Sequence, residues 1–236
     1  QLIGDVGQSS EETLGSVAEF SIKALDIIQE ASESKSHDGV TGVRTGFPSL
    51  DSETSGLQRG DLILLAARPS MGKTSFAMQI AENVAMNEKL PVLVFSMEMG
   101  GTQLAMRQIS ALARIDQKRL RSGDLRESEW TDLSEAVDRL STVEEWIDTQ
   151  GNLSPAEMRS RVRQFAKRHG RPGLVVIDYL QLMSGGSDEK IRANEVAGIS
   201  RALKALAKET DTPVMALSQL NRSVELRPDK RPMMSD

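Results

Sequence analysis

Apolar positions along this chain fall into two kinds of pattern. Four short runs are apolar almost throughout: 61–67 (DLILLAA), 91–97 (PVLVFSM), 173–180 (GLVVIDYL) and 213–220 (PVMALSQL). Runs of that length suit strands covered on both faces, as in a parallel sheet. Between them, apolar residues recur at helical spacing over about 73–87, 102–114, 127–140, 154–169 and 192–209. The fourth of these stretches carries its own boundaries. Ser154-Pro155-Ala156-Glu157 joins a capping box to a proline at the first helical position, and Gly170 supplies a C-cap. Strand–helix alternation from Val40 onward predicts an α/β fold, an open and mostly parallel sheet flanked by helices with right-handed crossovers. There is no internal repeat.

The N-terminal part reads differently. Residues 11–34 form one helical pattern, with Leu14, Val17, Ala18, Ser21, Leu25 and Ile28 near one face. Ser10 is placed to cap it, and Glu11 and Glu12 suit the positive end of the helix dipole. SESKSHDG follows as a polar linker. The chain thus divides into a helix and linker at 1–38 and an α/β domain at 39–236. Such a helix has little core of its own. Its stripe either folds back on the domain or docks on a neighbouring subunit, and the pattern leaves both open.

Composition narrows the chemistry. The chain has 236 residues, 39% hydrophobic and 27% charged, and its longest wholly apolar run, Leu62 to Ala67, is far too short to span a bilayer. There are no cysteines, which excludes disulfides, thiolate metal sites and thiol nucleophiles, and two histidines cannot build a histidine-rich metal centre. The composition fits a cytoplasmic protein with no membrane partner. Net charge is −5, of which residues 1–38 carry −6, so the α/β domain is nearly neutral at +1. A neutral body can still hold a local basic patch.

One turn stands out within this frame. Ala67-Arg68-Pro69-Ser70-Met71-Gly72-Lys73-Thr74 follows an apolar strand and opens a helix. It matches the P-loop, G-x-x-x-x-G-K-[ST], with alanine in place of the first glycine. Gly72 lets the backbone pass close to phosphate oxygens. The N–H groups of Ser70, Met71, Gly72, Lys73, Thr74 and Ser75 are expected to form an anion nest at a helix N-terminus. Lys73 would reach the β- and γ-phosphates of ATP, and Thr74 would offer a hydroxyl to Mg²⁺. Leu174-Val175-Val176-Ile177-Asp178 puts a candidate acid for Mg²⁺, Asp178, at the C-terminal end of a buried strand, the edge where ligands gather in α/β sheets; the alternative is a plain strand-end aspartate. Glu98 follows the strand Val92–Ser96. If that strand adjoins the P-loop strand, its carboxylate faces the γ-phosphate and could orient the attacking water; alternatively it is an acid satisfied at a helix start. Gln219, also at a strand end, is either a γ-phosphate sensor or an ordinary loop residue.

Several separate strings then resemble one family in the right order: TGFPSLDSETSGLQRGDLILLAARPSMGKTSFA, VFSMEM, LVVIDYLQLM, GISRALKALAKE and VMALSQLNRSVELRPDKRP. Together they are similar to the C-terminal ATPase domain of the bacterial replicative DNA helicase DnaB family, from Thr41 to the last residue. The resemblance implies a RecA-like P-loop fold preceded by a linker helix. It implies an ATP-hydrolysing motor in a ring homo-hexamer around single-stranded DNA, with primase and a helicase loader as partners. It carries the catalytic base onto Glu98, the Mg²⁺ acid onto Asp178 and the γ-phosphate sensor onto Gln219, beside Lys73. It assigns 11–34 to a linker helix on the adjacent subunit. The family's primase-binding N-terminal domain and its last strands and basic residues have no counterpart here. The expectation is therefore a fragment of a longer protein that hydrolyses ATP slowly alone. Another RecA-like ATPase, a non-hydrolysing loader-binding fragment and a P-loop kinase are the competing readings.

DNA contacts are expected from backbone-facing loops, since aromatics are only 3% and base-stacking platforms are correspondingly few. Candidates are 185–190 and the loop with Arg222, Arg227, Lys230 and Arg231, whose alternative is a solvated loop. A denser basic run, Arg159, Arg161, Arg163, Lys167, Arg168 and Arg171, reads first as the solvated face of a crossover helix and second as a phosphate site. Met97, Met99 and Met106, with Trp130 and Trp146, read as packing residues, and His169 as a helix-dipole partner.

Overall fold

The structure, a computed structural model, describes residues 15–33, 39–178, 189–220 and 229, without the side chains at 27, 30, 31, 33 and 189–195. In chain order the elements are α1 (Val17–Glu33), α2 (Pro48–Thr54), β1 (Leu62–Ala67), α3 (Lys73–Asn87), β2 (Val92–Ser96), α4 (Gly101–Ala113), α5 (Gln117–Ser122), α6 (Glu127–Ser141), β3 (Glu145–Asp148), α7 (Pro155–His169), β4 (Leu174–Asp178), α8 (Glu189–Thr210) and β5 (Val214–Gln219). The five strands form one parallel sheet in the order β1-β5-β4-β2-β3.

The apolar runs form strands because both sheet faces are covered. Along β2, Val92 and Val94 face the cluster under α3, while Leu93 and Phe95 face the cluster under α7 and α8. β4 divides the same way, Leu174 and Val176 against Val175 and Ile177, and β5 sets Met215 and Leu217 against Val214 and Ala216. Ile80, Ala81 and Val84 of α3 fill one layer; Met158, Val162, Leu203 and Leu206 fill the other. β1 departs from the expectation of burial on both faces. It is an edge strand paired only with β5 among the described residues, and Leu64 is 56% exposed.

Local signals explain several boundaries. At α7, Glu157 N–H donates to Ser154 Oγ (3.3 Å) and Ser154 N–H to Glu157 Oε2 (2.8 Å), the capping box read from the sequence. α1 starts later than the pattern suggests. Its cap is Ser16, whose N–H and Oγ exchange hydrogen bonds with Glu19 at 2.8 and 3.2 Å; Ser10 lies outside the described residues. Its stripe is exposed at Val17, Leu25 and Ile28. Before β1, buried Asp51 of α2 accepts from Thr45 N–H, Thr45 Oγ1 and Gly46 N–H, tying that helix to the segment that leads into it.

The basic run of α7 is largely consumed by ion pairs. Arg159 and Arg163 both bind Glu209 of α8, Arg161 binds Asp148, and Arg171 binds Asp211. That is the solvated-face reading with its partners named. Trp146 stacks on His169 at 4.1 Å between ring centroids and meets Phe165 edge-on. Trp130 does not anchor packing as the sequence suggests: it is 54% exposed on α6. Of the methionines, Met97 and Met99 pack against the core clusters and Met106 is exposed.

Candidate nucleotide site

The C-terminal ends of β1, β2, β4 and β5 gather at one sheet edge, and a cavity of about 490 Å³ opens there. The P-loop bounds it with Arg68, Ser70, Gly72, Lys73, Thr74 and Ser75. Two left-handed residues shape the loop, Ser70 at φ +65° and Gly72 at φ +83°. A Cβ on Gly72 would meet no protein atom within 4 Å, so glycine is required by backbone conformation and not by crowding. Gly72 is also the N-cap of α3, and no side chain caps that end. The first N–H groups of α3 therefore face the cavity without a side-chain acceptor, the condition for holding an anion. Met71 has another place: its side chain is 75% exposed, and its N–H donates to Arg68 O at 3.3 Å.

Thr74 and Asp178, 104 positions apart, meet directly: Thr74 Oγ1 donates to Asp178 Oδ2 at 2.8 Å. Asp178 is 3% exposed, and its Oδ1 is buried and accepts no hydrogen bond. A buried carboxylate oxygen in that condition is costly unless something electropositive occupies the space beside it. Burial pushes the Asp178 pKa up, opposed by the Thr74 hydrogen bond and by Lys73, reinforced by Glu98 and opposed by Arg107. Burial lowers the Lys73 pKa, with Asp178 and Glu98 pulling it back up. Lys73 and Asp178 thus shape each other's charge, as expected where a charged ligand belongs.

Glu98 lines the cavity, but not for the reason of strand adjacency. β2 lies beyond β5 and β4 from β1, so the two strands are not neighbours. Glu98 reaches the site because β2 adjoins β4, with Ser96 in register with Asp178 and Met97 N–H bonded to Asp178 O at 2.9 Å. Gln219 closes β5 opposite Ala67 and lines the cavity too. Two residues escaped the sequence reading, Arg107 on α4 and Gln117 at the start of α5. Neither belongs to a motif; only the return of α4 and α5 over the strand ends brings them in. Arg222, Arg227, Lys230 and Arg231 lie outside the described residues.

A family model described as the DnaB-like helicase C terminal domain matches residues 42–236. The chain belongs to that family. The replicative DNA helicase DnaB of Pasteurella multocida is 48% identical over 216 residues, covering 91% of this chain and 46% of that protein. That of Haemophilus influenzae is 49% identical over 222 residues, covering 93% and 47%. The chain thus spans about half the length of these curated relatives. Among solved structures, an ATPase domain superposes with a TM-score of 0.83 at 36% identity, covering 94% of this chain and 78% of that one. A DnaB-like replicative helicase, described with its interactions with primase, gives 0.80 at 37% identity, covering 94% and 52%. No described helix is long and apolar enough to cross a membrane.

Proposed function

We propose that this chain is the motor domain of a replicative DNA helicase. It binds and hydrolyses ATP with Mg²⁺ at subunit interfaces and converts the cycle into translocation on single-stranded DNA. The observation that carries the reading is the meeting of Thr74 with Asp178 at the mouth of an uncapped helix.

The residues present fit Mg²⁺. A hydroxyl and a carboxylate form a hard oxygen donor set, and Asp178 Oδ1 is buried with no hydrogen bond to give up. When bound, the ion neutralises charge on the β- and γ-phosphate oxygens. The protein's own work is positioning. The N–H groups of Gly72 to Ser75 hold phosphate oxygens, and Lys73 adds a cation directed at the β- and γ-phosphates. Glu98 accepts the proton of a water that attacks the γ-phosphorus as the bond to ADP breaks. Gln219 hydrogen-bonds the γ-phosphate, so the end of β5 reports its presence to the segment that follows. In this reading the domain works as a cytoplasmic ring homo-hexamer, α1 packs its exposed stripe on the adjacent subunit, and Arg222, Arg227, Lys230 and Arg231 contact DNA. Primase and a loader are its further partners.

Native mass spectrometry with a non-hydrolysable ATP analogue, Mg²⁺ and a single-stranded oligonucleotide tests the reading. Nucleotide-bound rings carrying DNA are expected. A nucleotide-bound monomer that ignores DNA would contradict the motor assignment.

A further inference from the structure

Two carboxylates stand at neighbouring strand ends, Glu98 lining the nucleotide cavity and Asp178 buried behind Thr74, and they are held differently. Asp178 is fixed by burial and by Thr74. Glu98 is exposed, on a turn between β2 and α4. The chain beyond the turn supplies little stiffness: Gly100 and Gly101 follow, and no side chain caps α4. What holds the turn lies beneath it. Ser96, 1% exposed, donates its hydroxyl to Met99 O at 2.8 Å and accepts from Met99 N–H at 3.3 Å. These two bonds close a loop over Met97 and Glu98. The loop's base is tied to β4, since Ser96 pairs with Asp178 and Met97 N–H donates to Asp178 O at 2.9 Å.

We infer that Ser96 is a positioning residue for ATP hydrolysis: by clasping both backbone groups of Met99 it sets where the Glu98 carboxylate stands relative to Asp178 and the P-loop. The inference rests on the reading of Glu98 as the group that takes the water's proton. A bland role, satisfying buried backbone groups, would affect stability and every ligand alike. A positioning role affects only the step that uses Glu98. Misplacing a reacting group by about 1 Å costs about 100-fold in rate.

The test is single-turnover ATP hydrolysis with protein in excess over ATP, in Mg²⁺ and single-stranded DNA, beside MgADP titration with and without aluminium fluoride. Glu98→Gln alone tests the underlying reading. It should slow turnover about 100- to 10,000-fold, to a residual rate that single-turnover conditions still read, while leaving MgADP affinity intact; wild-type turnover would refute the role of Glu98 without reference to Ser96. Ser96→Ala should slow hydrolysis about 10- to 100-fold, leave MgADP affinity within about twofold, and erase most of the gain in affinity that aluminium fluoride gives. In a Glu98→Gln background, Ser96→Ala should add no further loss. Wild-type turnover in Ser96→Ala overturns the inference. So does a parallel loss of MgADP binding, or a full additional loss in the double variant.

Discussion

Glu145 offers a quantitative check away from the nucleotide site. It opens the edge strand β3 and is half-buried there. Gln108 of α4 donates Nε2–H to both carboxylate oxygens, at 2.9 and 2.8 Å. Glu82 of α3 adds repulsion; it is 4% exposed, its own pKa is raised by burial, and Gln79 and Arg139 of α6 oppose that rise. Burial first pushes the Glu145 pKa from 4.5 to about 7, the Gln108 bond opposing and Glu82 reinforcing. The folded chain therefore holds this proton more tightly than the unfolded chain. The associated stability is complete below about pH 4.5 and is lost as pH rises through about 7. At 1.36 kcal/mol per unit, the loss is about 3 kcal/mol once Glu145 is ionised. Glu145→Gln keeps the shape and a partner for Gln108 but cannot ionise. Melting curves should coincide near pH 4.5 and separate by roughly 6–12 °C near pH 8.5, with the variant the more stable. A variant less stable at pH 8.5, or a difference that does not change with pH, would refute the reasoning.

Two further predictions concern single side chains. Lys73→Ala should weaken nucleotide binding about 10- to 100-fold with an unchanged circular dichroism spectrum, since one charge-assisted bond to phosphate is lost; unchanged affinity by titration would remove Lys73 from the site. Ser154→Ala should cost about 1 kcal/mol by denaturant melting, because the hydroxyl that accepts from Glu157 N–H and donates to Glu157 Oε2 is lost while the Ser154 N–H bond to Glu157 stays, and a neutral substitution would show that Pro155 and the ion pairs of α7 suffice.

The core of the sheet was legible because β2, β4 and β5 bury both faces, which writes continuous apolar runs. β3 was not, because Glu145-Trp146-Ile147-Asp148 mixes charge with apolar residues at a sheet edge, where only part of each residue is covered. The six-residue α5 and seven-residue α2 are too short for periodicity to mark them. Lateral strand order is a property of the crossovers, so the sequence could bring Glu98 to the site only on the condition that β2 adjoins the P-loop strand, whereas β5 and β4 lie between the two. The P-loop and Asp178 were readable from short local strings. Arg107, Gln117 and Ser96 were not, since each acquires its role only from how α4, α5 and the β2 turn return over the strand ends.

The central claim is that Thr74 and Asp178 form one magnesium–nucleotide site with the P-loop. Titration of ATP into wild-type protein and Asp178→Asn, with Mg²⁺ and with chelator, addresses it directly. Mg²⁺ should tighten wild-type binding by about tenfold or more, and the variant should lose that gain while keeping its Mg²⁺-free affinity. Equal tightening in both proteins would contradict the account.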